Sequence, residues 1–163
     1  MQEVFIIDKE IFNKNQKYYE DLIINFYKDN GQNYTKKSLN IKRQINIGGV
    51  FYSCYLKNNK ILCLARLAKL YINYKQLKTF YILRQIDTLV DFRKQGLAEK
   101  VLKSAFDYLR TKKAKKVVSM VDESNFASIK LHKKFGFLEK EPTKSFKNSN
   151  YYWEAKYLEK QII

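Results

Sequence analysis

The spacing of apolar positions divides the chain into stretches with the period of strands and stretches with the period of helices. Glu3 to Asp8 packs Val4, Phe5, Ile6 and Ile7 into one short run and reads as a first strand. From Lys9 to Lys28, residues Ile11, Phe12, Tyr18, Tyr19, Leu22, Ile23 and Phe26 recur at helical intervals and form one apolar stripe. Asp29-Asn30-Gly31 ends that helix, with Gly31 as its C-terminal cap. A shorter helix is expected over Thr35 to Ile45. After Gly48-Gly49 the period changes. Val50 to Leu56 and Ile61 to Leu70 read as strands flanking Asn58-Asn59, a two-residue hairpin turn. Counting outward from that turn sets 57 opposite 60 and 54 opposite 63, which predicts Cys54 and Cys63 as neighbours on one face.

A turn near Asn73-Tyr74-Lys75 leads into a strand from about Thr79 to Leu89. Leu97, Val101, Leu102, Ala105 and Leu109 then predict a helix from Leu97 to about Lys112. Lys116 to Val121 is a strand, Ser124-Asn125 opens a short helix to about Phe135, and Gly136-Phe137-Leu138 begins another strand. Tyr151 to Leu158 supplies the last, after a loop holding the only proline, Pro142. The order β-α-α-β-β-β-α-β-α-β-β defines an α/β sheet with helices on its faces. No repeat or linker interrupts it, so one domain is expected over 1–163.

Hydrophobic residues make up 45% of the chain, enough for a globular core and too many for a disordered tail. The longest apolar runs fall far short of a membrane span. Glu3 and Asp8 stand where an export signal needs a basic head and a longer apolar stretch, so a cytoplasmic location is expected. Net charge is +16, which invites a polyanionic partner, yet only five of the 32 basic residues are Arg and no basic-aromatic nucleic-acid signature accompanies them. Most of the lysines therefore read as solvated surface. Two cysteines are too few for a disulfide framework or a zinc site, so no metal is expected and both read as small core residues.

The candidate chemistry gathers at Thr88-Leu89-Val90-Asp91-Phe92-Arg93-Lys94-Gln95-Gly96-Leu97-Ala98, where a strand passes through a glycine turn into a helix. The first amides of a helix lack partners within it and the helix dipole favours negative charge there. Arg93 and Lys94 add cations, and Gly96 lets the backbone approach a phosphate closely. The spacing excludes a nucleotide-triphosphate loop, which needs a following Gly-Lys-Ser/Thr, and a three-glycine dinucleotide fingerprint. About thirty residues on comes Asn125-Phe-Ala-Ser128-Ile-Lys-Leu131-His132-Lys-Lys134-Phe-Gly136-Phe137.

Arg93-x-x-Gly96-x-Ala98, followed at this distance by Asn125, Leu131-His132, Lys134 and Gly136-Phe137, resembles the GNAT superfamily of acyl-CoA-dependent N-acetyltransferases. The resemblance is strongest from about Ile86 to Phe137. It implies a single-domain, mixed, mostly antiparallel sheet with helices on both faces and splayed fourth and fifth strands. It implies acetyl-CoA as the acyl donor. The main-chain amides of Lys94, Gln95, Gly96, Leu97 and Ala98, with the Arg93 side chain, would hold its pyrophosphate. Main-chain groups of Ile86 and Thr88 would pair with the pantetheine arm, Asn125 would bond the pantetheine or phosphate region, and Lys134 would lie near the phosphates. Gly136-Phe137 reads as a helix stop followed by a core aromatic.

Three positions depart from the commonest family pattern. Ser128 replaces an alanine, His132 takes the slot where many members carry a tyrosine acting as general acid, and Met120 stands where some members have a glutamate base. The expected reaction is direct attack of a primary amine on the thioester in a ternary complex. An alkylammonium has a pKa near 10, so its proton must be taken up by a base or a water chain. Asp87 is the base candidate, with Asp122, Glu123 and Glu154 behind it, and His132 is the candidate general acid. Phe51, Tyr55, Tyr151, Tyr152 and Trp153 are available to line an acceptor pocket. A small-molecule amine is the expected acceptor. An aminoacyl-tRNA or a protein amine is the alternative, as is a non-catalytic coenzyme A-binding or RNA-binding domain. The oligomeric state stays open, a homodimer being one option.

Overall fold

The described residues form seven strands, the longer ones rich in β-branched and aromatic residues: β1 (Val4–Ile7), β2 (Phe51–Lys57), β3 (Lys60–Ile72), β4 (Lys75–Thr88), β5 (Lys116–Val121), β6 (Leu138–Glu139) and β7 (Lys156–Gln161). The structure is a computed structural model and describes residues 3–73 and 75–163. The strands hydrogen-bond in the order β1-β2-β3-β4-β5-β7-β6. The pairs β1–β2, β2–β3, β5–β7 and β6–β7 are antiparallel, and β4–β5 is parallel. The mixed, mostly antiparallel sheet is thus as expected. The chain divides into two compact units, Met1–Ala68 with Gln85–Tyr108, and Lys69–Arg84 with Leu109–Ile163.

In the first unit both faces of the sheet carry helices. Ser53 Oγ donates to the carbonyl of Val101 and the Phe51 ring lies 4.7 Å from that of Tyr108, so the odd residues of β2 face α5 (Leu97–Thr111). On the other side Tyr27, from α2 (Gln16–Asp29), donates its hydroxyl to Gln85 of β4. The helix expected from Lys9 to Lys28 is two helices, α1 (Lys9–Lys14) and α2. Asn15 breaks it: its side chain accepts from the Tyr18 amide and caps α2, a local bond that competes with helix continuation. Asn40 likewise divides the next helix into α3 (Lys36–Leu39) and α4 (Ile41–Asn46) by adopting left-handed geometry at φ 45°. Both are corrections to a reading built on apolar spacing alone.

The β2–β3 hairpin corrects a register. Asn58 and Asn59 both have positive φ, as a two-residue turn requires. Lys57 pairs with Lys60 and Leu56 with Ile61 as counted from that turn. The register then shifts by one residue at Leu62, so Tyr55 faces Cys63 and Cys54 faces Leu64. Paired residues share a face, so Cys54 and Cys63 lie on opposite faces of the sheet, not together. Both are buried free thiols. The carbonyl of Leu62 accepts from the Leu89 amide, so the displaced residue anchors the chain just past β4.

In the second unit β5 pairs with the upper part of β4 on one side and β7 on the other. The parallel ladder runs from Phe80↔Lys116 to Leu83↔Ser119 and stops there, although β4 continues to Thr88 and β5 to Val121. β4 begins earlier than expected, at Lys75, and the predicted turn at Asn73-Tyr74-Lys75 falls partly on Tyr74, outside the described residues. Helix α6 (Phe126–Lys134) follows β5. The last strand is Lys156–Gln161, not Tyr151 to Leu158. Tyr152 and Trp153 are exposed, so that aromatic run marked a surface loop instead of a buried strand. A further short helix, α7 (Lys144–Lys147), seats Phe146 in the core at 3% exposure.

Asn15→Ala is expected to cost about 1 kcal/mol, the usual worth of such a cap, and to lower the melting temperature by about 2–4 °C. An unchanged midpoint in thermal denaturation followed by circular dichroism would show that the Asn15 side chain does not set the break.

Candidate functional site

In the first unit the candidate residues lie along one strand, loop and helix. Buried Leu89 pins the chain after β4, and a single tight turn over Val90–Phe92 brings it to Arg93. Arg93 is extended and its Nε donates to the Thr88 carbonyl at 3.2 Å. Lys94 follows at φ 59° and Gly96 at φ 74°, both left-handed. That geometry costs a lysine about 1 kcal/mol, and strain of this kind collects at ligand-holding loops. A Cβ on Gly96 would meet no heavy atom within 4 Å, so the space over the loop is open. Arg93, Lys94, Gln95 and Gly96 are exposed, whereas Leu97 is buried and roots the helix. The Lys100 amide donates to the Gly96 carbonyl. The amides of Leu97 and Ala98 precede that bond at the start of the helix. Two cations and a helix N-terminus thus border that open space.

β4 supplies a second set of groups. Ile86 and Thr88 are partly buried and lie beyond the last β5-paired residue, Leu83. Thr88 Oγ1 lies 3.1 Å from Cys63 Sγ and donates to it. Burial pushes the Cys63 thiol up to about 11, against the pull of that hydroxyl, so it is protonated near neutrality. Gln85 and Asp87 alternate to the opposite face and meet α2. Asn30, the C-cap of α2, donates its side-chain amide to Asp87 Oδ2 at 2.6 Å. The Tyr27 hydroxyl bonds Gln85 Oε1 at 2.7 Å, and burial pushes Tyr27 up to about 12 although the nearby Arg66 charge opposes it. Tyr27, Asn30, Arg66 and Gln85 had no local signal in the sequence. Only the fold brings Asn30 to Asp87, Tyr27 to Gln85 and the Arg66 charge near Tyr27.

The second unit gathers the remaining predicted residues on or next to α6. Asn125 caps the helix, its Oδ1 accepting from the Ser128 amide at 3.1 Å. Lys134 is exposed in the last turn. Asp122 accepts from the Ser124 hydroxyl and amide; those bonds lower its pKa and occupy it in a turn. Glu123 and Glu154 are exposed. His132 is 2% exposed. Its Nδ1 lies 2.7 Å from the Ser128 carbonyl and its Nε2 2.9 Å from Ser119 Oγ. A carbonyl oxygen only accepts, so Nδ1 carries the proton, and in the neutral ring Nε2 accepts from the serine hydroxyl. The imidazole also packs edge-on against Phe137 with centroids 4.9 Å apart. Of the aromatics proposed for an acceptor pocket, Phe51 and Tyr55 are core residues.

A mixed, mostly antiparallel sheet with one parallel pair, β4–β5, and a glycine turn leading from β4 into α5 is the arrangement that the acetyltransferase resemblance implies. A sequence model described as the acetyltransferase (GNAT) family matches residues 13–137, and the chain belongs to that family. None of the curated proteins matches it in sequence. Solved structures show the shared fold. A GNAT-family acetyltransferase from Staphylococcus aureus aligns with a TM-score of 0.67 at 11% identity, over 98% of this chain and 99% of that one. The ribosomal-protein alanine N-acetyltransferase of Escherichia coli aligns with a TM-score of 0.65 at 18% identity, over 98% and 94%. An aminoglycoside N-acetyltransferase solved in complex with CoA aligns with a TM-score of 0.59 at 15% identity, over 86% and 94%. Among the described residues no helix is long and apolar enough to cross a membrane.

Burial holds His132 below its ordinary value of 6.5, only partly offset by the Ser128 carbonyl. The unfolded chain then binds the proton more tightly than the native protein. The stability this ring contributes is complete above about pH 6.5 and is lost as pH falls below it. Melting temperature should accordingly fall between about pH 7.5 and about pH 5, and His132→Gln should flatten that fall. Parallel curves for the two proteins would contradict the burial argument.

Proposed function

We propose that the protein is an acetyl-CoA-dependent N-acetyltransferase acting on a primary amine of a small molecule. The observation that carries this reading is the Arg93 to Ala98 loop, with its two left-handed residues and open space above Gly96, in a chain of the GNAT family. Acetyl-CoA, when bound, supplies an acetyl group already activated as a thioester. The amides from Lys94 to Ala98 and the Arg93 guanidinium hold the pyrophosphate, where charge-assisted bonds are strongest. Main-chain groups of Ile86 and Thr88, beyond the end of the β5 ladder, align the pantetheine arm as an added strand would be aligned. β3 and β4 run unbroken through both units, and the reading takes the whole chain as one acetyltransferase domain.

Asp87 is the base in this reading. Asn30 fixes one carboxylate oxygen and so orients the other toward an incoming ammonium. His132 acts instead by positioning. Its ring is buried, both nitrogens are engaged, and it ties α6 to Ser119 of β5. A thiolate of pKa about 8.5 leaves without an obligatory acid. The two cysteines, buried and reduced, accord with a cytoplasmic setting.

The test is release of free CoA thiol from acetyl-CoA with a panel of primary amines. Gly96→Val forces a β-branched residue into left-handed backbone, so the loop amides move and KM for acetyl-CoA should rise about tenfold to a hundredfold. Asp87→Asn should lower kcat by about a hundredfold or more with that KM little changed. Thiol release no faster with any amine than by simple hydrolysis would overturn the reading.

A further inference from the structure

The second unit contains a cleft of about 460 Å³ lined by Tyr71 and Asn73 at the end of β3, Arg84 of β4 and the segment Asn148 to Tyr151. Its walls are held in place. The Tyr71 amide donates to the Tyr151 hydroxyl at 3.2 Å, and the Arg84 guanidinium stands 5.4 Å from the centroid of the Tyr151 ring. Tyr151 stacks in turn on Phe146, with planes 18° apart, and Phe146 is a core residue. Ser149 donates its hydroxyl to the Phe146 carbonyl and accepts from the Tyr151 amide, which fixes the turn of that segment.

The chemistry of the lining is one-sided. It has a full positive charge on Arg84 and side-chain amides on Asn73, Asn148 and Asn150, and among the described lining residues no carboxylate. A guanidinium offers five N–H donors in one plane, matched to a carboxylate or phosphate, and stacking on an aromatic ring fixes that plane. A protonated amine entering here would meet like charge. Arg84 also directly follows Leu83, the last β4 residue paired with β5, and precedes Ile86 and Thr88 on the same strand. An anion at Arg84 would therefore lie on the strand that aligns the acyl donor.

We propose that this cleft binds a carboxylate or phosphate oxyanion and that the acceptor is an amine carrying such a group. The second half rests on the acetyltransferase reading; the first half does not. Two measurements separate them. Inorganic phosphate and, in a separate arm, succinate are titrated into isotope-labelled protein, with the Tyr71 and Asn150 backbone amides followed by NMR. Both amides should move in at least one arm, the stronger arm naming the preferred oxyanion, and Arg84→Met should weaken that binding at least about tenfold. Acetyl transfer is then compared within matched pairs, β-alanine against propylamine and phosphoethanolamine against ethanolamine. The anionic member of the preferred pair should have the higher kcat/KM by about tenfold to a hundredfold, and Arg84→Met should collapse that ratio toward one. Arg84-dependent anion binding in a protein that acetylates no amine would uphold the anion site and sink the acetyltransferase reading. Absence of Arg84-dependent anion binding, or equal rates within both pairs in the unmutated enzyme, overturns the proposal.

Discussion

The parallel β4–β5 ladder ends at Leu83↔Ser119 while both strands continue. A strand that leaves its ladder keeps main-chain donors and acceptors that must be satisfied by something else. In β4 those groups belong to the residues leading to Thr88, and the next turn carries Arg93, Lys94 and the α5 N-terminus. In the proposed function these are the groups that align the acyl donor. Ser119, at the last pair, also meets His132, so the same position that ends the ladder fixes α6.

Around β4 the side chains divide by alternation. Gln85 and Asp87 face α2 and are bonded by Tyr27 and Asn30, while Thr88 turns to Cys63 on the opposite face. Cys63 reaches that face because of the one-residue shift at Leu62, whose carbonyl in turn holds Leu89. A local irregularity in the second hairpin strand therefore helps set the chain as it enters the loop from Arg93 to Ala98. Arg66, paired across the sheet with Tyr52, adds a charge next to Tyr27 with its Nε buried and without a partner among the described residues.

Much of this was legible before any coordinates. The Asn58-Asn59 turn, the glycine turn at Gly96 and the Leu97 helix are local features, and local chemistry shows in sequence. What failed did so for physical reasons. Asn15 and Asn40 end helices through their own side chain or a left-handed backbone, which apolar spacing does not register. The shift at Leu62 depends on partners far along the chain, and so does the bonding of Asp87 by a residue 57 positions away. Tyr151, Tyr152 and Trp153 resemble a strand because aromatic residues favour strands, but here they form a loop at the rim of a polar cleft. His132 occupies a position with a catalytic precedent, and the burial and the two bonds that support the positioning role proposed for it depend on partners in β5 and α6.

The central claim is that acetyl-CoA occupies the β4 edge and the loop that follows it. Hydrogen exchange of backbone amides, measured with and without acetyl-CoA, tests that claim most directly because it reads the main-chain groups said to bind. Exchange should slow at the amides from Lys94 to Glu99 and at Ile86 and Thr88 of β4, with the remaining strands little changed. Unaltered exchange over those residues at saturating acetyl-CoA, or protection confined to other parts of the chain, would contradict the account.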